Sequence, residues 1–406
     1  MNRHKRVRAV ALVLAVTAGL VGGATTGGAA APTAPAAPTA PAAEAGLTAE
    51  AGRAPGTARL QEILDRLTTV DGGPGALLDL RDRRRSTVLT SGVADVRSNR
   101  PVHPDSRFRI GSATKMFTAT VLLQLVGEGR VDLDAPVERH LPGVVRGHGN
   151  DGRRITVRQL LQHTSGLPDF LDYLKPQEIV RDPLVHRDAR QLVRTALAHP
   201  PVFEPGTGWD YSNTGYLLAG MIIEKVTGHP YGDEIHRRVV RPLRLRGTSV
   251  PGDSPRIPRP HPRGYAHTGA DAPLLDITRL NPSVGGAAGE VISSGGDMNR
   301  FLAALLDGRL LRPAQLREMT ATRPTGGTDG RAYGLGLESK PLPCGGRYWG
   351  HTGDFPGFET ASGAVPGGGG ATVVVNAGPG GSDAQSDDIE AAVETALCQG
   401  RPRTAR

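Results

Sequence analysis

Apolar residues recur along the chain at two spacings, and the spacings separate by region. Leu60, Ile63, Leu64 and Leu67 recur at helical spacing and predict a helix over 57–67. Residues 76–80 and 86–89 are short apolar runs joined by a charged turn at 81–85, and read as two strands. Phe108-Arg109-Ile110 is an extended entry that turns at Gly111 into a helix. That helix carries an apolar face through Met116, Phe117, Val121, Leu122, Leu125 and Val126. From about 118 to 284 the chain is loop-rich and mostly helical, with helices over 157–162, 190–198 and 216–226. The last ends at Thr227-Gly228, a glycine suited to the left-handed position after a helix. Residues 250–264 are proline-rich and read as loop. After about 285 the pattern changes again. Residues 291–294 lead into a helix over 297–306, and 333–337, 347–350, 358–364 and 371–375 are short strand-like runs. A terminal helix over 387–397 is capped by Ser386 or a neighbour. Strands near both ends with helices between them predict one sheet built from the two ends and an inserted helical part.

Composition adds the flanks. In this chain of 406 residues, 1–31 have the form of an export leader: Arg3, Lys5, Arg6 and Arg8, then an apolar run over 9–21, then Ala29-Ala30-Ala31 as a cleavage site. The apolar run is too short to span a membrane comfortably. No cysteine follows it, so no lipid anchor is indicated, and no later stretch is long and apolar enough to cross a membrane. The expectation is a secreted, soluble extracellular protein cleaved near Ala31. Residues 32–56 form an Ala/Pro/Thr linker that cannot build a core. The main domain then runs over 57–398, with α/β parts at about 57–117 and 285–398 and a helical part at about 118–284. Residues 399–406 are a basic tail.

The net charge of +8 falls to about +4 once the four leader cations are removed. Acids and bases are interspersed, no zinc-ligand spacing is present, and the few aromatics do not interleave with basic runs, so nucleic acid is not an indicated partner. Charge alone supports no more than a loose attraction to an anionic cell wall. The two cysteines, Cys344 and Cys398, read as a disulfide in an exported protein. It would close a loop of roughly fifty residues and contribute about 4 kcal/mol through chain entropy. With no repeat or heptad signal, a monomer is the default.

Three stretches carry candidate chemistry. Ser112 and Lys115 are three apart, which places both on one helix face. A serine hydroxyl needs a partner to take its proton, and an amine in a desolvated pocket can do so. Of 48 Lys plus Arg only five are lysines, yet the residue three after Ser112 is one of them. Arginine cannot give up its proton in a protein, and lysine can. Next, Tyr211 and Asn213 follow a turn: a phenol that relays a proton if cations lower its pKa, and an amide that can bridge a lysine and a substrate carbonyl. A buried tyrosine with a turn asparagine is the plainer alternative. Last, His351-Thr352-Gly353-Asp354 offers a donor or cation, a hydroxyl, and a glycine that permits close backbone approach. The backbone N–H groups of Ser112 and Asp354 would suit an oxyanion hole. A histidine ending an exposed strand is the plainer alternative there.

These motifs occur in the order Ser112-x-x-Lys115, Tyr211-x-Asn213, His351-Thr352-Gly353, and several flanking stretches accompany them: 160–167 (Leu-Leu-Gln-His-Thr-Ser-Gly-Leu), 211–216, 289–294 and 333–337 (Tyr-Gly-Leu-Gly-Leu). Over about 57–398 the chain resembles the serine penicillin-recognising enzymes with the class C β-lactamase-type fold. Within these it is most similar to secreted D-alanyl-D-alanine carboxypeptidases. The cysteine positions also resemble those of a secreted member. The resemblance implies an α/β part, an antiparallel sheet flanked by helices, plus an all-α part, with the site between them and His351 on the edge strand. It implies acylation of Ser112, proton work by Lys115 and Tyr211, substrate binding by Asn213, His351, Thr352 and Gly353, and no metal or organic cofactor. The implied substrate is a peptidoglycan stem peptide or a small ester or amide, with β-lactams as inhibitors.

Two positions depart from the carboxypeptidase pattern. Glu338 stands where those enzymes carry an arginine for the substrate carboxylate, and Asp354 stands where Thr or Gly is usual. Acids there would repel a carboxylate, with Lys340 or a nearby arginine as candidate compensation. Three readings follow: a D-alanyl-D-alanine carboxypeptidase, an esterase, amidase or β-lactamase-like hydrolase on the same scaffold, and a non-catalytic wall-binding or sensor protein. The intact set Ser112, Lys115, Tyr211 and Asn213 speaks against the third.

Overall fold

The computed structural model describes residues 55–399 apart from 83, 84, 270, 271, 379 and 381. The leader, nearly all of the linker, and the tail from residue 400 lie outside these residues. The main sheet has nine antiparallel strands: β1 (Gly75–Arg81), β2 (Ser86–Asp95), β3 (Arg100–Pro101), β4 (Arg323–Pro324), β5 (Ala332–Tyr333), β6 (Glu338–Pro341), β7 (Arg347–Phe355), β8 (Phe358–Ala364) and β9 (Gly370–Val375). Their spatial order is β4-β5-β6-β7-β8-β9-β1-β2-β3, so the first strand of the chain pairs with the last, Ala76 opposite Val375.

The central strands read as unbroken apolar runs because both faces are covered. On one face Leu78, Val373 and Val375 pack with helices α1 (Pro55–Thr69) and α5 (Asp383–Leu397) through Leu60, Leu64, Ile389 and Val393. Leu77 and Val374, one residue out of step, join the opposite core with α2 (Thr114–Gly127), α3 (Asn213–Thr227) and α4 (Gly295–Leu306). The Cys344–Cys398 disulfide is present, with Cα atoms 5.7 Å apart, and fastens the end of α5 to the turn between β6 and β7.

Several elements differ from the sequence reading, each for a local reason. The helix α2 has no polar face: residues 114–123 and Leu125 are all buried. Its hydroxyls are satisfied internally. Thr118 donates to Ala287 O at 2.7 Å, and Thr114 accepts from the Val291 N–H at 3.1 Å. The run 333–337 is not one strand. It is the end of β5 and a turn at Gly336, whose φ of +77° favours glycine and where a Cβ would meet Ala119 Cβ at 2.5 Å. The helices α3 and α5 start about one turn early, at Asn213 and Asp383. The strand β7 continues past Gly350 to Phe355 and is not a sheet edge, since β6 and β8 flank it. Pairing with β6 stops at Glu338 opposite Gly350, however. From His351 onward that side of β7 has no strand beside it among the described residues and packs on the turn that precedes α2. The half of β7 that carries the third motif is therefore a local edge.

Candidate active site

The entry to α2 is a short 3-10 turn, Gly111–Ala113, rather than helix from Ser112 on. Ser112 sits in that turn and Lys115 in the first turn of α2, which still brings Lys115 Nζ to 3.0 Å from Ser112 Oγ. The amine has two more partners, Asn213 Oδ1 at 2.7 Å and Ala288 O at 2.9 Å. Both are oxygens that can only accept. A neutral amine fills them with its two N–H bonds, and its lone pair is left for the Ser112 O–H. Lys115 is fully buried. Burial lowers its pKa to about 7, against Asp169, Glu338 and Asp354, which pull it up.

The Tyr211-x-Asn213 segment closes the site from the start of α3. The Asn213 amide is oriented by two bonds: its oxygen accepts from Lys115 Nζ, and its Nδ2 donates to Asp169 Oδ2 at 2.7 Å. Burial raises Asp169 to about 6 despite the N–H groups it accepts from. The Tyr211 ring lies 4.9 Å from Lys115 Nζ. Burial holds the Tyr211 phenol well above its usual pKa, although its hydrogen bond with Ser112 pulls the other way. The phenol is thus not activated by cations: desolvation is the largest cause of its raised pKa, and Glu338, Tyr216 and Asp169 add to it. His163 holds the segment on both sides of Tyr211. Its backbone oxygen accepts from the Asp210 N–H and its Nδ1 from the Ser212 N–H, both at 3.1 Å, while its ring lies 4.2 Å from the Tyr211 ring. It ends its helix in the left-handed region, at φ +60°.

On β7, His351 and Gly353 turn inward, while Thr352 is half-buried and Asp354 exposed on the open side. His351 Nδ1 lies 2.5 Å from Thr352 O, an acceptor, so Nδ1 carries the proton. Its Nε2 is 2.8 Å from Tyr333 Oη. Burial lowers its pKa, with Glu338 opposing. The ring is a neutral brace between β7 and β5, and its two nitrogens are both taken, so it is not the free cation or donor that the sequence left open. Glu338 is 3.6 Å from His351 Nδ1 and is paired with Arg331 Nη1 at 2.5 Å. The compensating cation is therefore Arg331, whereas Lys340 pairs with Glu390 and Glu394 on α5. The Asp354 side chain is exposed. The surrounding protein, with Glu359, Glu390 and Glu338, holds its carboxyl above the usual range.

Two glycines let β7 approach the Ser112 turn. A Cβ on Gly353 would sit 2.0 Å from Ile110 O, and one on Gly111, at φ +51°, would sit 2.5 Å from Asp354 O. This contact brings the backbone of Asp354 against that of Gly111, next to Ser112. An N–H in the first turn of a helix has no partner within the helix, and Ser112 lies in such a turn.

Residues 60–396 match the family model described as Beta-lactamase. The chain belongs to the beta-lactamase family. Among solved structures of similar proteins, a D-stereospecific amidohydrolase from Streptomyces sp. is 43% identical, with a TM-score of 0.77, covering 83% of this chain and 98% of its own. A D-amino acid amidase from Ochrobactrum anthropi SV3, complexed with L-phenylalanine amide, is 33% identical, with a TM-score of 0.73 and coverage of 84% and 97%. Penicillin-binding protein 4* of Bacillus subtilis (strain 168) is 31% identical over 66% of this chain, which spans 60% of that relative's length. This family member is a serine hydrolase of the beta-lactamase and penicillin-binding-protein group. The structure brings together Ser112, Lys115, Tyr211, Asn213 and the His351–Asp354 segment. Sequence reasoning assigns no role to Asp169, His163, Tyr333 or Arg331. All four sit in or beside stretches that carry the family resemblance, 160–167 and 333–337.

Proposed function

We propose that this protein is an exported amidohydrolase for amides and esters of D-amino acids that carry a free α-ammonium, and that it works through an acyl-enzyme on Ser112. Ser112 Oγ attacks the carbonyl carbon, and its proton passes to neutral Lys115. The carbonyl oxygen becomes an oxyanion between the N–H groups of Ser112 and Asp354. Collapse breaks the bond to the leaving amine or alcohol, which takes the proton through Lys115 and Tyr211. Water then attacks the ester by the same route in reverse and frees Ser112. Asn213 holds the amine and the acyl group, and His351 braces the strand. Export rests on the leader-like 1–31 and the disulfide.

The observation that carries the substrate class is the charge facing the site. Glu338 is tied to Arg331, and Asp354 has no ion-pair partner among the described residues. Asp354, raised to about 8, is largely protonated near neutral pH without a cation beside it; a substrate ammonium would lower its pKa and give the carboxylate a counter-charge, whereas a substrate carboxylate would raise it further. The likeness to a D-stereospecific amidohydrolase and to a D-amino acid amidase supports the same class. A second reading, D-alanyl-D-alanine carboxypeptidase acting on wall peptides, is favoured by the likeness to penicillin-binding proteins. The test compares kcat/KM for D-phenylalanine amide, its L enantiomer, and a diacylated Lys-D-Ala-D-Ala peptide. Preference for the D-amide over both others, by about tenfold or more, is expected. Faster release of D-alanine from the peptide would overturn the amidase reading in favour of the second.

A further inference from the structure

Asp169 is a half-buried acid that the proposed chemistry leaves without a task. The chain on either side of it is stapled to the start of α3. Pro168 O accepts from Thr214 Oγ1 at 2.7 Å and from Ser212 Oγ at 3.3 Å, and Thr214 Oγ1 in turn accepts from the Phe170 N–H at 3.0 Å. The two carboxyl oxygens of Asp169 have separate partners. Oδ1 caps the 3-10 turn Phe170–Tyr173 by accepting from the Leu171 N–H at 3.1 Å, and Oδ2 accepts from Asn213 Nδ2 at 2.7 Å. The carboxyl also takes the backbone N–H of Asn213, which has no partner within its own helix.

A side-chain amide can turn over, since its oxygen and nitrogen are alike in size and opposite in hydrogen bonding. With the oxygen toward Lys115, Nζ donates to Asn213 Oδ1 at 2.7 Å and to Ala288 O at 2.9 Å, and its lone pair is left for Ser112 Oγ at 3.0 Å. Turned over, Asn213 Nδ2 would donate into that lone pair, and the Ser112 proton would lose its acceptor. A carboxylate at 169 accepts on both oxygens and donates on neither, so it holds the amide with Nδ2 toward itself. Burial raises Asp169 to about 6, which leaves it largely ionised at pH 7. The same charge acts on Lys115: of the acids that raise the lysine pKa against burial, Asp169 comes ahead of Glu338 and Asp354. The rings of Tyr211 and Tyr216 lie 4.9 and 5.5 Å from the amine. His163 and His351, which also face it, are kept below their usual pKa chiefly by burial.

We infer, resting on the reading of Lys115 as the base, that Asp169 is a positioning residue: it locks the Asn213 amide with its oxygen toward Lys115 and so reserves the lone pair of the amine for Ser112. The test is the pH–rate profile for hydrolysis of p-nitrophenyl acetate, whose small acyl group makes little demand on acyl binding. It is measured for the parent protein, Asp169→Asn, Asp169→Asn combined with Asn213→Asp, and Lys115→Arg. Asp169→Asn keeps the shape of the side chain and an oxygen for the Leu171 N–H, but then turns a nitrogen toward Asn213 and favours the turned-over amide. Its kcat is expected to fall about tenfold or more with KM within about twofold, and its rising limb to lie at lower pH than the parent's, since a charge that raises the Lys115 pKa is gone. Adding Asn213→Asp puts a carboxylate beside the amine, so Lys115 again meets an acceptor in either orientation. That double variant is expected to recover kcat to within about fivefold of the parent at about pH 9, with its limb at higher pH than the parent's. A fall in kcat for Asp169→Asn with the limb unmoved is what a merely structural role gives, and it would overturn the lock. So would a parent-like Asp169→Asn, or a double variant no faster than the single one at any pH. A limb that persists in Lys115→Arg would overturn the base assignment and the lock together, whereas a limb lost there and unmoved in Asp169→Asn overturns the lock alone.

Discussion

Lys115 is the residue on which the chemistry turns, because two of its three partners cannot give it a proton. With Asn213 Oδ1 and Ala288 O filled, its lone pair has one place to go, the Ser112 hydroxyl. Lys115→Arg keeps the charge and removes the base, so kcat/KM should fall about a thousandfold or more in an ester assay. The base form is the neutral one, and its pKa is about 7. Activity should therefore rise with pH through about 7 and level off above it, and the residual activity of Lys115→Arg should lack that limb. A pH–rate profile of both proteins checks this. His163 acts through its neighbours, by accepting from the Ser212 N–H. His163→Asn keeps an acceptor and tolerates the left-handed backbone. His163→Phe keeps the ring and leaves the buried N–H unpaired, which costs about 1–3 kcal/mol. The Phe variant should lose about tenfold or more in kcat with little change in KM, and the Asn variant should recover most of it. Ser112, Lys115, Tyr211 and Asn213 were legible because their spacing is local. Asp169, 44 positions from Asn213, and Arg331, whose pairing with Glu338 spans the β5–β6 turn, were not, since no local period records a partner brought in by folding.

Elements were read best where the pattern was periodic and isolated. The first helix and strands β1, β8 and β9 lie close to their predicted spans. Periodicity gives α2 one apolar face, whereas its threonines are buried too, with their hydroxyls hydrogen-bonded inside the protein. The extent of β7 was cut short at the glycines, yet Gly353 is there for closeness and not to end the strand. Gly353→Ala would push the strand off Ile110 O and open the Ser112–Asp354 pair of N–H groups. Activity should fall by about a hundredfold or more, and the chemical-denaturation midpoint should drop as well. A variant with parent-like kinetics would show that the close approach is not needed.

At the scale of the molecule, the sheet joins the two chain ends through β1 and β9, and the disulfide locks the last helix to it across 54 residues. Replacing Cys344 and Cys398 by alanine should cost about 4 kcal/mol in urea unfolding, by constraining the unfolded chain less. The site chemistry should be unchanged, since Ser112 lies far along the chain from that staple. Strands at both ends and helices between were legible from patterning, whereas the pairing order was not, because register between distant strands leaves no mark in either one. The central claim is that Ser112 is the acylated nucleophile. Its most direct test is the intact mass of the mature protein after brief exposure to a β-lactam or a D-amino-acid ester, with peptide mapping of the adduct. The account predicts one acyl group, on Ser112, absent from Ser112→Ala and slow to form in Lys115→Arg. An adduct elsewhere, or turnover that survives Ser112→Ala, would contradict it.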